Sequence, residues 1–179
     1  MAIIKDNQIL KESLLDVARK MVVAATTAPK ARGINNIVTA ILTDRDIMDL
    51  ARMMRDIGEK NENGILLRDA QNVLKRADVV VLLGTKIRSI SLALCGLCGF
   101  KDCKEKNQHP SIPCAFNTGD LGIAIGSAAS VAMDHRVDNR IMYSVGLAAK
   151  EMGILGDDVP IIYGIPLSAG PKNPFFDRK

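Results

Sequence analysis

Four cysteines carry the plainest chemistry in this 179-residue chain. Cys95, Cys98, Cys103 and Cys114 are spaced C-x2-C-x4-C-x10-C, and they are the chain's full complement of cysteine. Four soft thiolates gathered by short loops suit an iron–sulfur cluster or a tetrahedral zinc ion. Gly96 and Gly99 stand directly after the first two cysteines. Glycine lets a chain turn sharply enough for neighbouring thiolates to reach one centre, and it bares amides that can hydrogen-bond to sulfide. Pro113 would fix the approach of the last ligand, Cys114. Zinc sites usually show two separated C-x2-C knuckles, and one is present here. The spacing therefore favours a [4Fe–4S] cluster, with zinc as the alternative and His109 as a substitute ligand in a Cys3His set. Buried, reduced thiols are the reading without a metal. Four cysteines within twenty residues argue against it.

Composition narrows the class of protein around these thiols. Aromatics make up 3% of the residues, with no Trp, which disfavours ring-stacking single-strand binders. A net charge of +4 is too small to imply a nucleic-acid partner. No run of 18 apolar residues occurs, so no membrane span is expected. The opening MAIIKDNQIL turns polar by its fifth residue and has no secretory h-region. A cytoplasmic, reducing compartment is the expectation, where clustered cysteines more often bind metals than form disulfides.

Alternating helices and strands must position the cysteines. Residues 7–27 place Ile9, Leu10, Leu14, Val17, Ala18, Met21, Val22 and Ala25 at spacings of three and four, one helical face ended before Pro29. Residues 37–42 read as a buried strand, and Thr43 to Asp46 as a capping box opening a helix with Ile47, Leu50, Met53, Met54 and Ile57. Met48, Met53 and Met54 read as core filling. A short helix over 66–77 leads into the apolar strand 78–84. Residues 85–118 form an irregular, cysteine-bearing insertion. Beyond it, 120–133 predicts a helix whose Gly122 and Gly126 pack closely on a neighbour, within the chain or between chains. Asp138 is read as the N-cap of a helix over 140–152 closed by Gly153, and 160–167 as a third strand. The polar group Asp134, His135, Arg136, Asp138, Asn139 and Arg140 could serve acid–base chemistry, but capping and surface ion pairs explain it more simply. One domain, 1–179, of α/β or α+β type with three layers is expected. Walker A, Rossmann, G-x-S-x-G and HExxH motifs do not occur.

Resemblance to known families extends this reading. The run Cys95 to Cys103 resembles the C-x2-C-G-x3-C core of [4Fe–4S] domains in corrinoid iron–sulfur proteins. There a fourth Cys, usually after Pro, follows a gap longer than the ten residues found here. Residues 28–33, the cysteine run and residues 164–178 are similar to a family of prokaryotic ferredoxin domain-containing proteins. The order of the remaining elements resembles the flavin-dependent nitroreductases, in which a loop like Ala28-Pro29-Lys30-Ala31 lies along FMN. Residues 75–84 resemble that family's central strand, 146–154 its Ala-rich helix, and 162–174 its last strand and G-x-P turn. The resemblance implies a three-layer nitroreductase-like fold and a homodimer with its active site between subunits. FMN becomes a candidate cofactor. Lys30, Arg32 and Gly33 would form a cationic turn for a phosphate or an anionic flavin. Alternatively, those basic residues complement a helix C-terminus without a ligand. The paired arginines and serine that hold FMN phosphate in the family are absent from residues 1–10. The expected function is that of an iron–sulfur redox protein, flavin-linked electron transfer included, with an unassigned redox partner and substrate. The alternative is a non-enzymatic binding or regulatory module stabilised by zinc or a cluster.

Overall fold

The computed structural model describes residues 5–176. Strand β2 (Val79–Thr85) is buried at all seven positions and organises the rest. It pairs antiparallel with β1 (Ile37–Thr43) on one side and β4 (Ile161–Ser168) on the other. The short β3 (Asp138–Asn139) completes the sheet in the order β1-β2-β4-β3. Every pairing is antiparallel, so the fold is α+β.

Side chains alternate across β2, as strand geometry requires, and feed two cores. Val79, Val81 and Leu83 pack with helices α1 (Asp6–Thr27) and α5 (Ala115–Asp134). Val80 and Leu82 pack on the opposite face, against α2 (Asp44–Lys60), α3 (Gly64–Arg76) and α6 (Tyr143–Glu151). The expected three-layer arrangement follows. The single-turn helix α4 (Cys103–Lys106) lies in the cysteine-bearing insertion. No helix among the described residues is long and apolar enough to cross a membrane.

Several local expectations are corrected. Thr43 occupies the N-cap position of α2 without a side-chain capping bond, and Asp44 instead pairs with Lys11 of α1. Asp138 caps no helix: pairing with Ser168 draws it into β3, and α6 begins five residues later, after Met142. Ladder pairing there outweighs the local capping preference. Gly153 does close α6 in the left-handed region, at φ 64°. Its N–H bonds Lys150, and that of Ile154 bonds Ala149, the paired bonds of a Schellman motif. Met54 is buried and Met53 partly so, but Met48 is half exposed. Gly122 and Gly126 pack on none of the described residues, since a Cβ at either would meet open space.

Close packing occurs instead between α6 and β4. A Cβ on Gly146 would collide with the Ile162 carbonyl, and one on Gly164 with the Val145 side chain. Gly146→Ala must therefore push helix and strand apart. It should lower unfolding free energy by about 1–3 kcal/mol in urea denaturation. Gly64→Ala, at the exposed start of α3 with open space around it, should change stability by less than about 1 kcal/mol.

Candidate functional site

Strand β2 delivers the chain directly into the cysteine-bearing segment, and α5 receives it. The segment is stitched down at its start. The Arg88 N–H donates to Asn117 Oδ1 on the first turn of α5 at 3.0 Å, and Ser89 Oγ donates to Asn107 Oδ1 at 2.6 Å. Arg32 Nη1 donates to the Ile90 carbonyl at 3.1 Å, tying the 28–33 loop to the same strip.

The four thiols lie along this framework and none is in a disulfide. Cys95 and Cys98 sit in a turn where Leu94, Gly96 and Gly99 all have positive φ, and the Gly99 N–H bonds the Gly96 carbonyl. Glycine at 96 and 99 makes that left-handed backbone cheap, as the sequence suggested. Cys103 opens α4, whose N-cap Asp102 accepts from the Glu105 N–H while the Glu105 carboxylate accepts from the Lys101 N–H. Cys114 is buried at the N-cap of α5. His109 stacks on Phe100 with ring centroids 5.1 Å apart. Among the described residues no three His, Cys, Asp or Glu side chains converge on one metal-sized point. The structure thus places the thiols in one continuous segment without drawing them into a single coordination sphere.

Two observations bear on whether these residues suit a cluster. The donor set is right in number and softness for [4Fe–4S]. In addition, Asn117, one turn beyond Cys114, is fully buried, and its Nδ2 has no hydrogen-bond partner. A buried donor left without a partner calls for an acceptor.

The loop read as a cationic turn is built differently from a free phosphate cradle. Lys30 Nζ donates to the carbonyls of Ala25, Thr26 and Ala28 at 2.7–2.8 Å, satisfying the open end of α1. Burial pushes the Lys30 amine below its ordinary range, and the nearby Asp120 carboxylate opposes that shift. Buried Asp120 accepts the Ala31 N–H on both carboxylate oxygens, at 3.1 and 3.2 Å. Gly33 has φ 67° and donates its N–H to the Lys30 carbonyl. Beside the loop an open, mainly apolar cavity of about 400 Å3 is lined by Pro29, Ala31, Leu97, Phe116, Asp120 and Ile123, among others. Lys30 Nζ and Arg32 Nη1 are already on main-chain carbonyls and the cavity carries a carboxylate. This arrangement does not fit a flavin phosphate, and no step is derived through one.

The polar group at 134–140 is dispersed. His135 Nδ1 bonds the Val131 carbonyl, and its Nε2 lies 3.0 Å from Lys20 Nζ, joining α5 to α1. Arg140 donates to the Phe175 carbonyl and lies over the Phe176 ring. Asp120, Asn117 and the buried Lys106 escaped the sequence reading, because spacing carries no signal for a polar side chain folded inward.

Comparison with known proteins places this geometry. Residues 111–178 match the family described as "Uncharacterized protein containing a ferredoxin domain (DUF2148)". A protein of Archaeoglobus fulgidus is 33% identical over 183 residues, covering 98% of this chain and 97% of its own. The chain belongs to this ferredoxin-domain family. The family match includes Cys114 but not the other three cysteines, and its last two residues, Asp177 and Arg178, lie outside the described structure. The fold is that of nitroreductase-like flavoproteins. A BluB-like flavoprotein from Clostridium difficile is 18% identical, with TM-score 0.55 over 96% of this chain and 84% of that one. A nitroreductase family protein from Clostridium novyi is 15% identical, with TM-score 0.59 over 94% and 77%. A nitroreductase with bound FMN from Desulfitobacterium hafniense is 12% identical, with TM-score 0.57 over 96% and 81%.

In this ferredoxin-domain protein Lys30 is the clasp between α1 and the 28–33 loop. Lys30→Met removes three charge-assisted bonds and should cost about 1–2 kcal/mol of stability in denaturant titration. Loss of less than about 0.3 kcal/mol would mean that water satisfies those carbonyls equally well.

Proposed function

We propose that this protein is a one-electron redox carrier in which Cys95, Cys98, Cys103 and Cys114 hold a [4Fe–4S] cluster. The observation that carries the reading is the set of four free thiols on a single short segment of a ferredoxin-domain family member. A bound cluster would supply electron transfer at a potential tuned by burial and by hydrogen bonds to sulfur. The protein's own part is to bind and shield. Cys114, buried and anchored at the start of α5, is the fixed ligand. The 94–99 turn, with three positive-φ residues and exposed Leu94 and Leu97, is the part that must fold inward to bring Cys95 and Cys98 to it. Metal loading and ordering of this turn are therefore coupled. The unpartnered Asn117 Nδ2 is a donor available to a sulfur acceptor.

A homodimer completes the proposal. The glycines of α5 leave an open helix face, and Val23, Ile123 and Met133 on α1 and α5 are exposed apolar groups. A second copy laid along α5 would cover them.

Anaerobically purified protein should be brown, bleach with dithionite and contain roughly four irons per chain. Cys98→Ser should abolish the colour and most of the iron. Colourless protein holding one zinc would replace the redox reading with that of a metal-stabilised module. A yellow chromophore released on heating would establish a bound flavin. Elution at twice 19.3 kDa is expected, with Gly126→Arg eluting as monomer.

A further inference from the structure

Another cavity in the insertion, of about 290 Å3, is lined by Arg88, Ser89, Ser91, Lys106 and Asn107. Ile87 and Pro110 supply its apolar sides. Two cations line it and no carboxylate does. The acids beside these cations have other partners: Asp102 accepts the Glu105 N–H, Glu105 accepts the Lys101 N–H, and Asp158, within electrostatic reach of Arg88, pairs with Lys86 at 2.8 Å.

Lys106 is the decisive residue. The residue is 3% exposed; its ammonium is not among the fully buried side-chain nitrogens and makes no hydrogen bond or ion pair with any described residue. A long stem folded inward with its charged end at a solvent-reaching opening leaves that charge free for an outside partner. Lys106 lines a cavity that Arg88 also lines, so an anion held there would meet two cations. Arg88 is exposed, its guanidinium makes no hydrogen bond with a described residue, and its fork geometry suits an oxyanion. Ser91 adds a hydroxyl from a left-handed backbone position, φ 57°, a conformation that a non-glycine residue holds at some cost. Ser89 donates to Asn107 Oδ1, which leaves the Asn107 amide N–H groups to face other acceptors. The volume lies at the lower limit for small-molecule sites, enough for one anionic group and not for a whole nucleotide cofactor.

We propose that this cavity binds a phosphate group, as free phosphate or as the end of a small phosphomonoester. The site is built from residues 87–91 and 106–110. It stands independently of the thiols, so it neither requires nor establishes the cluster.

The test is calorimetric titration of the full chain, purified anaerobically, with inorganic phosphate and separately with ribose 5-phosphate. Salt near physiological strength screens diffuse surface attraction. At least one probe should bind, and Arg88→Met and Lys106→Met should each weaken it about tenfold or more. Lys150→Gln, which removes an exposed charge on α6, should leave binding unchanged. Tighter binding of ribose 5-phosphate assigns the site to an ester, and tighter binding of inorganic phosphate to the free ion. Should Lys106→Met fail to fold, Arg88→Met and the exposed Ser91→Ala carry the test. Absence of binding by both probes overturns the proposal. So does equal weakening by Lys150→Gln, or binding of an acidic peptide where phosphate fails. Retention of iron by protein that binds no phosphate would leave the redox reading standing while this one falls.

Discussion

Strand β2 is the constraint on which the molecule depends. Its seven residues are buried on both faces and hydrogen-bonded along both edges. Such a strand is stable only when two sheet neighbours and two helical layers are in place together. The α1/α5 layer and the α2/α3/α6 layer therefore have little freedom to form separately. Gly84 marks how tightly the end of β2 is held, since a Cβ there would lie 2.5 Å from Val159 Cγ1. The chain leaves this rigid strand at Thr85 and enters the irregular segment, so the position of the thiols is inherited from β2.

The return through α5 is the second half of that frame. Cys114 sits at its N-cap, Asn117 receives the Arg88 N–H, and Asp120 receives the Ala31 N–H. Three successive positions on one helical face thus gather the insertion and the 28–33 loop at one end of the molecule. The sheet tolerates an interruption at its far edge. Gly164 exchanges hydrogen bonds with Met142, and two residues on, Pro166 has no N–H to continue that side of the ladder. This is why β3 stops at two residues and why the segment that reads as a helix cap became an edge pairing.

Three cations in this fold finish backbone structure. Lys30 closes the end of α1, and Arg32 and Arg140 each donate to a main-chain carbonyl. Against that pattern the exceptions stand out. Lys106 is inward and unpaired, and Asn117 carries a buried donor with no acceptor. Both lie in or beside the insertion; buried polar atoms without a partner also occur in the scaffold, at Asn36 Nδ2, Asn72 Nδ2 and Asp138 Oδ2.

Periodicity and residue type were enough to locate α1, β1, α2, α3, β2, α5 and β4 within a few residues, because each buries an apolar stripe with its own repeat. They were enough also to single out the four cysteines, since soft ligands clustered in a glycine-rich run need no tertiary information to be noticed. Strand direction was undetermined: antiparallel order depends on which element each connection crosses, and no local pattern records that. The Lys30 turn was legible as basic, but its choice of carbonyls over an outside anion depended on how α1 ends against α5. The inward Lys106, the buried Asn117 and the open face of α5 were decided by tertiary packing alone. Burial of a polar side chain is set by what folds over it, and that cover comes from residues distant in the sequence.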